Sequence, residues 1–283
     1  MRQYILFLAM LILTACEKPV MDEDNEGNSS ILLTFVPKVK DITRANPANY
    51  ISKINIQLFD INGQKVFEKV KTQNSDDSDF CSLSITLNAG TYTVVAVGHS
   101  SRISATIKSP EAVQFTASEG EKLTDTFCHC STVTVKAGDK FTLPMYRATA
   151  MIQFVLTDKD LPANFAYFIM DYTGGSANFN PTTLQGITKS TQSERRIRNS
   201  LNTHQAYTFP YMANSCNVKM TVKATDREGT IIHQRVFDAV PVTRNRITTY
   251  TGHFFEKGDG EFTVSDFGFV IHADWDGENF YNF

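Results

Sequence analysis

The chain has 283 residues, a formal net charge of −3, 42% hydrophobic residues and 11% aromatic residues. That apolar content suffices for packed cores in one large or two medium domains, and the mild acidity leaves no electrostatic footprint for a nucleic-acid partner. Phenylalanine is frequent at 21 against a single tryptophan, so apart from its 10 tyrosines the chain has few platforms for stacking on sugar rings.

Residues 1–15 read as an export signal. Arg2 supplies a positive charge ahead of an apolar run over residues 4–13. The run falls short of the roughly 20 apolar residues that span a bilayer and has the length of a signal-peptide core. Leu13-Thr14-Ala15-Cys16 follows and resembles the bacterial lipobox, an aliphatic residue and two small ones before cysteine. The resemblance implies cleavage between Ala15 and Cys16 and a diacylglyceryl group on the Cys16 sulfur, hence a palmitate-bearing lipoprotein. Each buried CH₂ of such chains contributes about 0.8 kcal/mol, so several chains on one residue anchor a protein stably. Residues 16–30 carry five acids, one lysine and few apolar groups. They cannot build a core and read as an acidic flexible tether.

Strand signals dominate beyond the tether. Residues 31–36 alternate Ile31, Leu33 and Phe35 on one face and stop at Pro37. Ile54, Ile56 and Leu58 alternate with Asn55, Gln57 and Phe59, the period of a half-buried strand. Asn62-Gly63 is a hairpin turn, with a return strand expected from Val66 and Phe67. Leu83, Ile85 and Leu87 alternate again, and residues 91–97 run back. A short helical turn is expected within 110–120. Strands at 133–135 and 141–144 close a first cycle. A second cycle follows at 148–156, 165–172, 207–211, 218–224, 231–237, 247–255 and 262–271, with a four-residue hairpin turn at Asp226-Arg227-Glu228-Gly229. Many short strands with regular turns indicate β-sandwiches. Their number exceeds one sandwich, so the fold expected is all-β, with an N-terminal sandwich over 31–145 and a C-terminal one over 146–283.

Little chemistry is visible. Cys81, Cys128, Cys130 and Cys216 allow three disulfide pairings, and nothing in the sequence selects one. Cys128-His129-Cys130 lacks the second ligand pair that a structural zinc site wants. Neither a metal nor a cofactor is expected. Arg195, Arg196 and Arg198 read as a solvated loop. The nucleophile, metalloprotease and phosphate-loop motifs of common enzymes are absent, so a non-enzymatic role is expected.

An ordered set of segments completes the reading. The lipobox and tether lead, followed by Ile54-Asn55-Ile56-Gln57-Leu58-Phe59-Asp60-Ile61-Asn62-Gly63 and by Leu87-Asn88-Ala89-Gly90-Thr91-Tyr92-Thr93-Val94-Val95-Ala96-Val97-Gly98-His99. Met145-Tyr146-Arg147-Ala148-Thr149-Ala150 lies in the middle. Asn245-Arg246-Ile247-Thr248-Thr249-Tyr250-Thr251-Gly252-His253-Phe254-Phe255 lies near the end. Together they resemble fimbrillin-like subunits of type V pili, most closely the FimB/Mfa-type anchor or minor subunits. The resemblance implies two sandwiches of transthyretin-like or Greek-key type, an outer-membrane location at the base of a fimbrium, and stalk pilins as partners. It also implies assembly by strand donation, in which a strand from one subunit completes the sheet of another. Stalk subunits lose their first strand to an arginine-specific protease, whereas anchors keep it. Arg44-Ala45 stands where such a cut would release residues 31–36. The expected donor is 262–271, with Phe262 and Val264 on one parity and Phe267, Phe269 and Ile271 on the other. The alternatives are a surface glycan-binding lipoprotein of a nutrient-import system and a pilus-tip adhesin.

Overall fold

A computed structural model describes residues 29–38, 46–116 and 123–255, and the backbone of 267–272. The strands of the first half are β1 (Ser29–Pro37), β2 (Lys53–Phe59), β3 (Lys71–Asn74), β4 (Ser82–Leu87), β5 (Gly90–His99), β6 (Thr106–Ser109), β7 (Ala112–Gln114), β8 (Thr126–Val135) and β9 (Lys140–Arg147). Those of the second are β10 (Ala150–Leu156), β11 (Tyr167–Thr173), β12 (Asn178–Asn180), β13 (Gln185–Gly186), β14 (Thr191–Ile197), β15 (Thr203–Thr208), β16 (Ser215–Thr225), β17 (Ile231–Thr243), β18 (Ile247–Gly252) and β19 (Phe267–His272). A short 3₁₀ turn, Pro47–Asn49, precedes β2. The chain is therefore all-β, as its period-two patterns predict.

Seven strands of the first half run in the order β3-β2-β5-β8-β9-β1-β4. β8 and β9 share only the pairs Phe127↔Arg147 and Cys128↔Tyr146, so the sheet parts there into two leaves. Ile31, Leu33 and Phe35 of one leaf meet Ile54, Ile56, Leu58, Val94 and Ala96 of the other in one core. The second half has two four-stranded sheets, β15-β10-β18-β19 and β14-β11-β16-β17, around Ile152, Phe154, Phe168, Met220, Val222, Phe237 and Tyr250. The two halves repeat one plan. The first strand of each lies antiparallel to one neighbour, β4 or β15, and parallel to a strand from late in the same half, β9 or β18.

A third core lies between them, which the expectation of two separately cored sandwiches did not include. β7 pairs with β12, placing Val113 opposite Phe179, and the sheet β13-β12-β7-β6 draws two strands from each half. Val95, Val97, Ile107 and Phe115 pack there with Phe179 and Phe209, whose rings stack at 4.4 Å. This explains why β2 is buried on both faces instead of presenting Asn55 and Gln57 to solvent. Burying amides is tolerable only when they are hydrogen-bonded. Asn55 Nδ2 donates to Thr72 Oγ1 at 2.8 Å, and its Oδ1 accepts from Ala105 N at 2.8 Å. Gln57 Nε2 donates to Phe67 O at 3.0 Å, and its Oε1 accepts from Phe67 N at 3.2 Å. Phe67 is thereby pinned as irregular backbone, and the return strand is β3, not 66–67. The helical turn expected within 110–120 is also replaced, over its described part, by β7.

Candidate functional site

β1 is the central feature of the first sandwich. Its alternation seats Ile31, Leu33 and Phe35 at 0–2% exposure, each contributing about 1.5–3 kcal/mol by burial. On one edge Leu33 pairs with Leu83 of β4, and on the other with Phe141 of β9. Phe35 N donates to Cys81 O at 2.8 Å, and Lys38 N to Met145 O at 2.8 Å. Cys81 holds that contact from a left-handed conformation, φ +61°, with its N–H on Gln73 Oε1 at 3.0 Å. Burial pushes its thiol up to about 12, so it is a structural residue and not a nucleophile. Removing β1 would open a slot lined by apolar side chains and by unpaired backbone groups of β4 and β9. Arg44 and Ala45 lie outside the described residues, as do Ala15 and Cys16.

At the other end, Phe267, Phe269 and Ile271 belong to β19, which runs antiparallel along β18 with Tyr250 opposite Phe269 and Ile247 opposite His272. β19 is the last strand of its sheet. Phe262 and Val264 lie outside the described residues.

The middle and late sequence motifs meet at Arg147, 4% exposed. Its Nε and Nη2 donate to the Asp125 carboxylate at 2.8 Å each, its Nη1 donates to Asn245 Oδ1 at 2.9 Å, and its guanidinium lies 4.6 Å over the Phe127 ring. Asn245, at φ +59°, returns its own N–H to Thr149 O at 2.8 Å. Thr149 Oγ1 donates to Asp125 Oδ1 at 3.2 Å. Arg147 and Asn245 thus fasten the junction between the halves, a role that neither motif reveals alone.

The cysteines Cys81, Cys128, Cys130 and Cys216 are free thiols. Burial raises the thiols of Cys128 and Cys130 above their ordinary range, which opposes the thiolate that a metal needs. His129 Nδ1 donates to Pro144 O at 2.8 Å and its Nε2 bonds Ser131 Oγ at 2.7 Å, so both ring nitrogens are committed. No cluster of metal-binding side chains occurs among the described residues. The basic segment differs from expectation. Arg195 and Arg196 lie on strand β14, and Arg198 follows it. Gln192, Glu194 and Arg196 face inward there; Arg196 contacts Glu194 Oε2 at 3.2 Å and donates from Nε to Gln205 O at 2.9 Å. A polar inner face hides the apolar alternation by which strands are read.

The fold recurs in solved structures. A candidate polysaccharide-binding protein from Bacteroides thetaiotaomicron matches with TM-score 0.55 and 11% identity, over 89% of this chain and 98% of that one. A candidate adhesin from Bacteroides ovatus matches with TM-score 0.53 and 13% identity, over 90% and 96%. The fimbrial anchor protein Mfa2 from Porphyromonas gingivalis matches with TM-score 0.47 and 12% identity, over 87% and 98%. At such identities the likeness is one of fold, and it is the fold that the resemblance to fimbrillin-like subunits implied. No curated protein matches. One sequence family, described as a family of unknown function (DUF6562), matches residues 22–282, and the chain belongs to it.

Proposed function

We propose that this chain is a non-enzymatic surface lipoprotein, tethered to the outer membrane through Cys16, that serves as an anchor or minor subunit of a fimbrium. The observation that carries the reading is the seat of β1. It is bonded on both edges and buried along one face, so the slot that a donated strand would enter is already filled by the chain itself. Such a subunit joins a polymer as donor, and the stalk pilin is its partner. The strand at the other end, β19, lies at a sheet edge, the position from which a strand detaches at least cost in hydrogen bonds. The adhesive name borne by a protein of this fold supports a cell-surface setting.

The mass of the mature N-terminus tests this directly. The expected species begins at a lipid-bearing Cys16 and runs unbroken through Arg44-Ala45. A chain beginning at Ala45 would move it to the stalk or tip class, and an unlipidated chain would remove the anchor. Cys16→Ala is expected to release the protein from washed membranes, since no helix among the described residues is long and apolar enough to cross one.

A further inference from the structure

A cleft of about 690 Å³ opens at one end of the second half. Three segments wall it: residues 163–167 leading into β11, Ile197 and Arg198 at the end of β14, and the turn at 226–228 between β16 and β17. Backbone bonds lock the walls together, Ala166 N donating to Thr225 O and Arg198 N to Ala166 O, both at 2.9 Å. The turn is fixed from within. Asp226 Oδ1 accepts from Thr230 N at 2.7 Å, and Asp226 N donates to Thr230 O at 3.1 Å. Phe165, 3% exposed, packs behind it against Phe168 and Phe255. The cleft is therefore braced before any ligand arrives, and its volume falls in the range of about 300–1,000 Å³ typical of small-ligand sites.

Its lining narrows the ligand class. Tyr167 supplies an aromatic ring, one face of which is covered by the Arg195 guanidinium 3.6 Å from its centroid, and Ile197 adds an aliphatic surface that is 74% exposed. Beside them stand the Asn164 amide and the Glu228 carboxylate, both exposed and neither bonded through its side chain to another described residue. Asp226 and Glu228 offset two of the three guanidiniums at the cleft, those of Arg195, Arg198 and Arg227, so it holds no strong charge of either sign to select an ion. It lies across strand ends and a turn, not along an open strand edge where an extended peptide would pair. An apolar ring and side chain next to an amide that donates and accepts and a carboxylate that accepts suit a molecule with one apolar face and a rim of hydroxyls.

We infer that this cleft binds a neutral glycan, with a hexose ring against Tyr167 and Ile197 and its hydroxyls shared between Asn164 and Glu228. This gives the fimbrial subunit proposed above a ligand class and rests on that reading for its surface setting. The test is to probe arrays of neutral gluco-, manno-, galacto- and N-acetylhexosamine oligomers, with sialylated and sulfated glycans and a peptide array alongside. The probes are the full chain, Tyr167→Ala, and the double variant Asn164→Ala/Glu228→Ala, whose exposed side chains leave folding intact. At least one neutral class is expected to bind, and each variant should weaken it about tenfold or more. Silence across the neutral classes, binding confined to charged glycans or peptides, or neutral-glycan binding that the double variant leaves unchanged overturns the inference. Loss of glycan binding as the sole failure, with fimbrial incorporation normal, would sink the cleft alone; failed incorporation with glycan binding intact would sink the fimbrial reading alone.

Discussion

Arg147 shows how one side chain can decide the relation between two halves of a chain. Its guanidinium is buried, bidentate on Asp125 and bonded to Asn245. Arg147→Ala would leave the Asp125 carboxylate facing the junction without its partner, and breaking such a pair costs about 3–5 kcal/mol. A loss at the lower end of that range is expected, because Asp125 keeps 21% side-chain exposure. Arg147→Lys should recover little, since an ammonium cannot make the forked contact; chemical denaturation of the three proteins measures both. Two histidines set the acid limit. His99 Nε2 donates to Asn55 Oδ1 at 2.8 Å while its Nδ1 accepts from Ser101 N at 3.1 Å, so the neutral ring is satisfied at both nitrogens. Burial, with Lys53 nearby, lowers its pKa to about 3. His204 stacks on Phe168 at 4.4 Å, and burial, with Arg196, lowers its pKa to about 4. Both folded values lie below the ordinary one of 6.5. The unfolded chain therefore takes up protons first as pH falls. Stability is full above about pH 6.5, declines by up to about 1.4 kcal/mol per unit for each ring below it, and levels off only near pH 3–4. Denaturation midpoints that stay flat between pH 7 and pH 4.5 would rule this out, and His99→Gln is expected to shallow the slope.

At the scale of elements, β1 carries the clearest prediction. Phe35→Ala should cost about 3–5 kcal/mol, the usual range for emptying a buried phenylalanine site. Deleting residues 29–37 should leave an aggregating protein that a peptide of that sequence, added in trans, returns to solution; light scattering with and without the peptide reads this. β1 and β10 were legible as short apolar runs rich in branched and aromatic residues, and β16 because Val218, Met220 and Val222 alternate with Asn217, Lys219, Thr221 and Lys223. β14 was not, because Gln192, Glu194 and Arg196 fill its inner face. β6, β7, β12 and β13 are two to four residues long and are joined across the two halves through β7 and β12, a pairing that no local period announces. The candidate sites divide the same way. Cys16 stands in a contiguous motif, whereas the cleft gathers Asn164, Tyr167, Ile197 and Glu228 from three separate segments, which only the fold brings together.

For the whole molecule, the repeated plan has a mechanical consequence. β1 runs parallel to β9 over six residue pairs, and β10 runs parallel to β18 over six more. Each half is entered through the first strand of its pair, and its second strand points the opposite end of the pair outward. A pull on the two ends of either half therefore slides the partners past one another, loading all their hydrogen bonds at once. β19 is different: antiparallel to β18 and at the sheet edge, it peels one pair at a time. Stretching the chain from its two ends in single-molecule force spectroscopy should give a weak early release of β19, followed by two strong ruptures of similar height. Pulling across the β16–β17 hairpin should require distinctly less force, and equal forces in the two geometries would sink the idea. A body tied to a membrane at one end and to a filament at the other would then yield first at its outermost strand and hold at its cores.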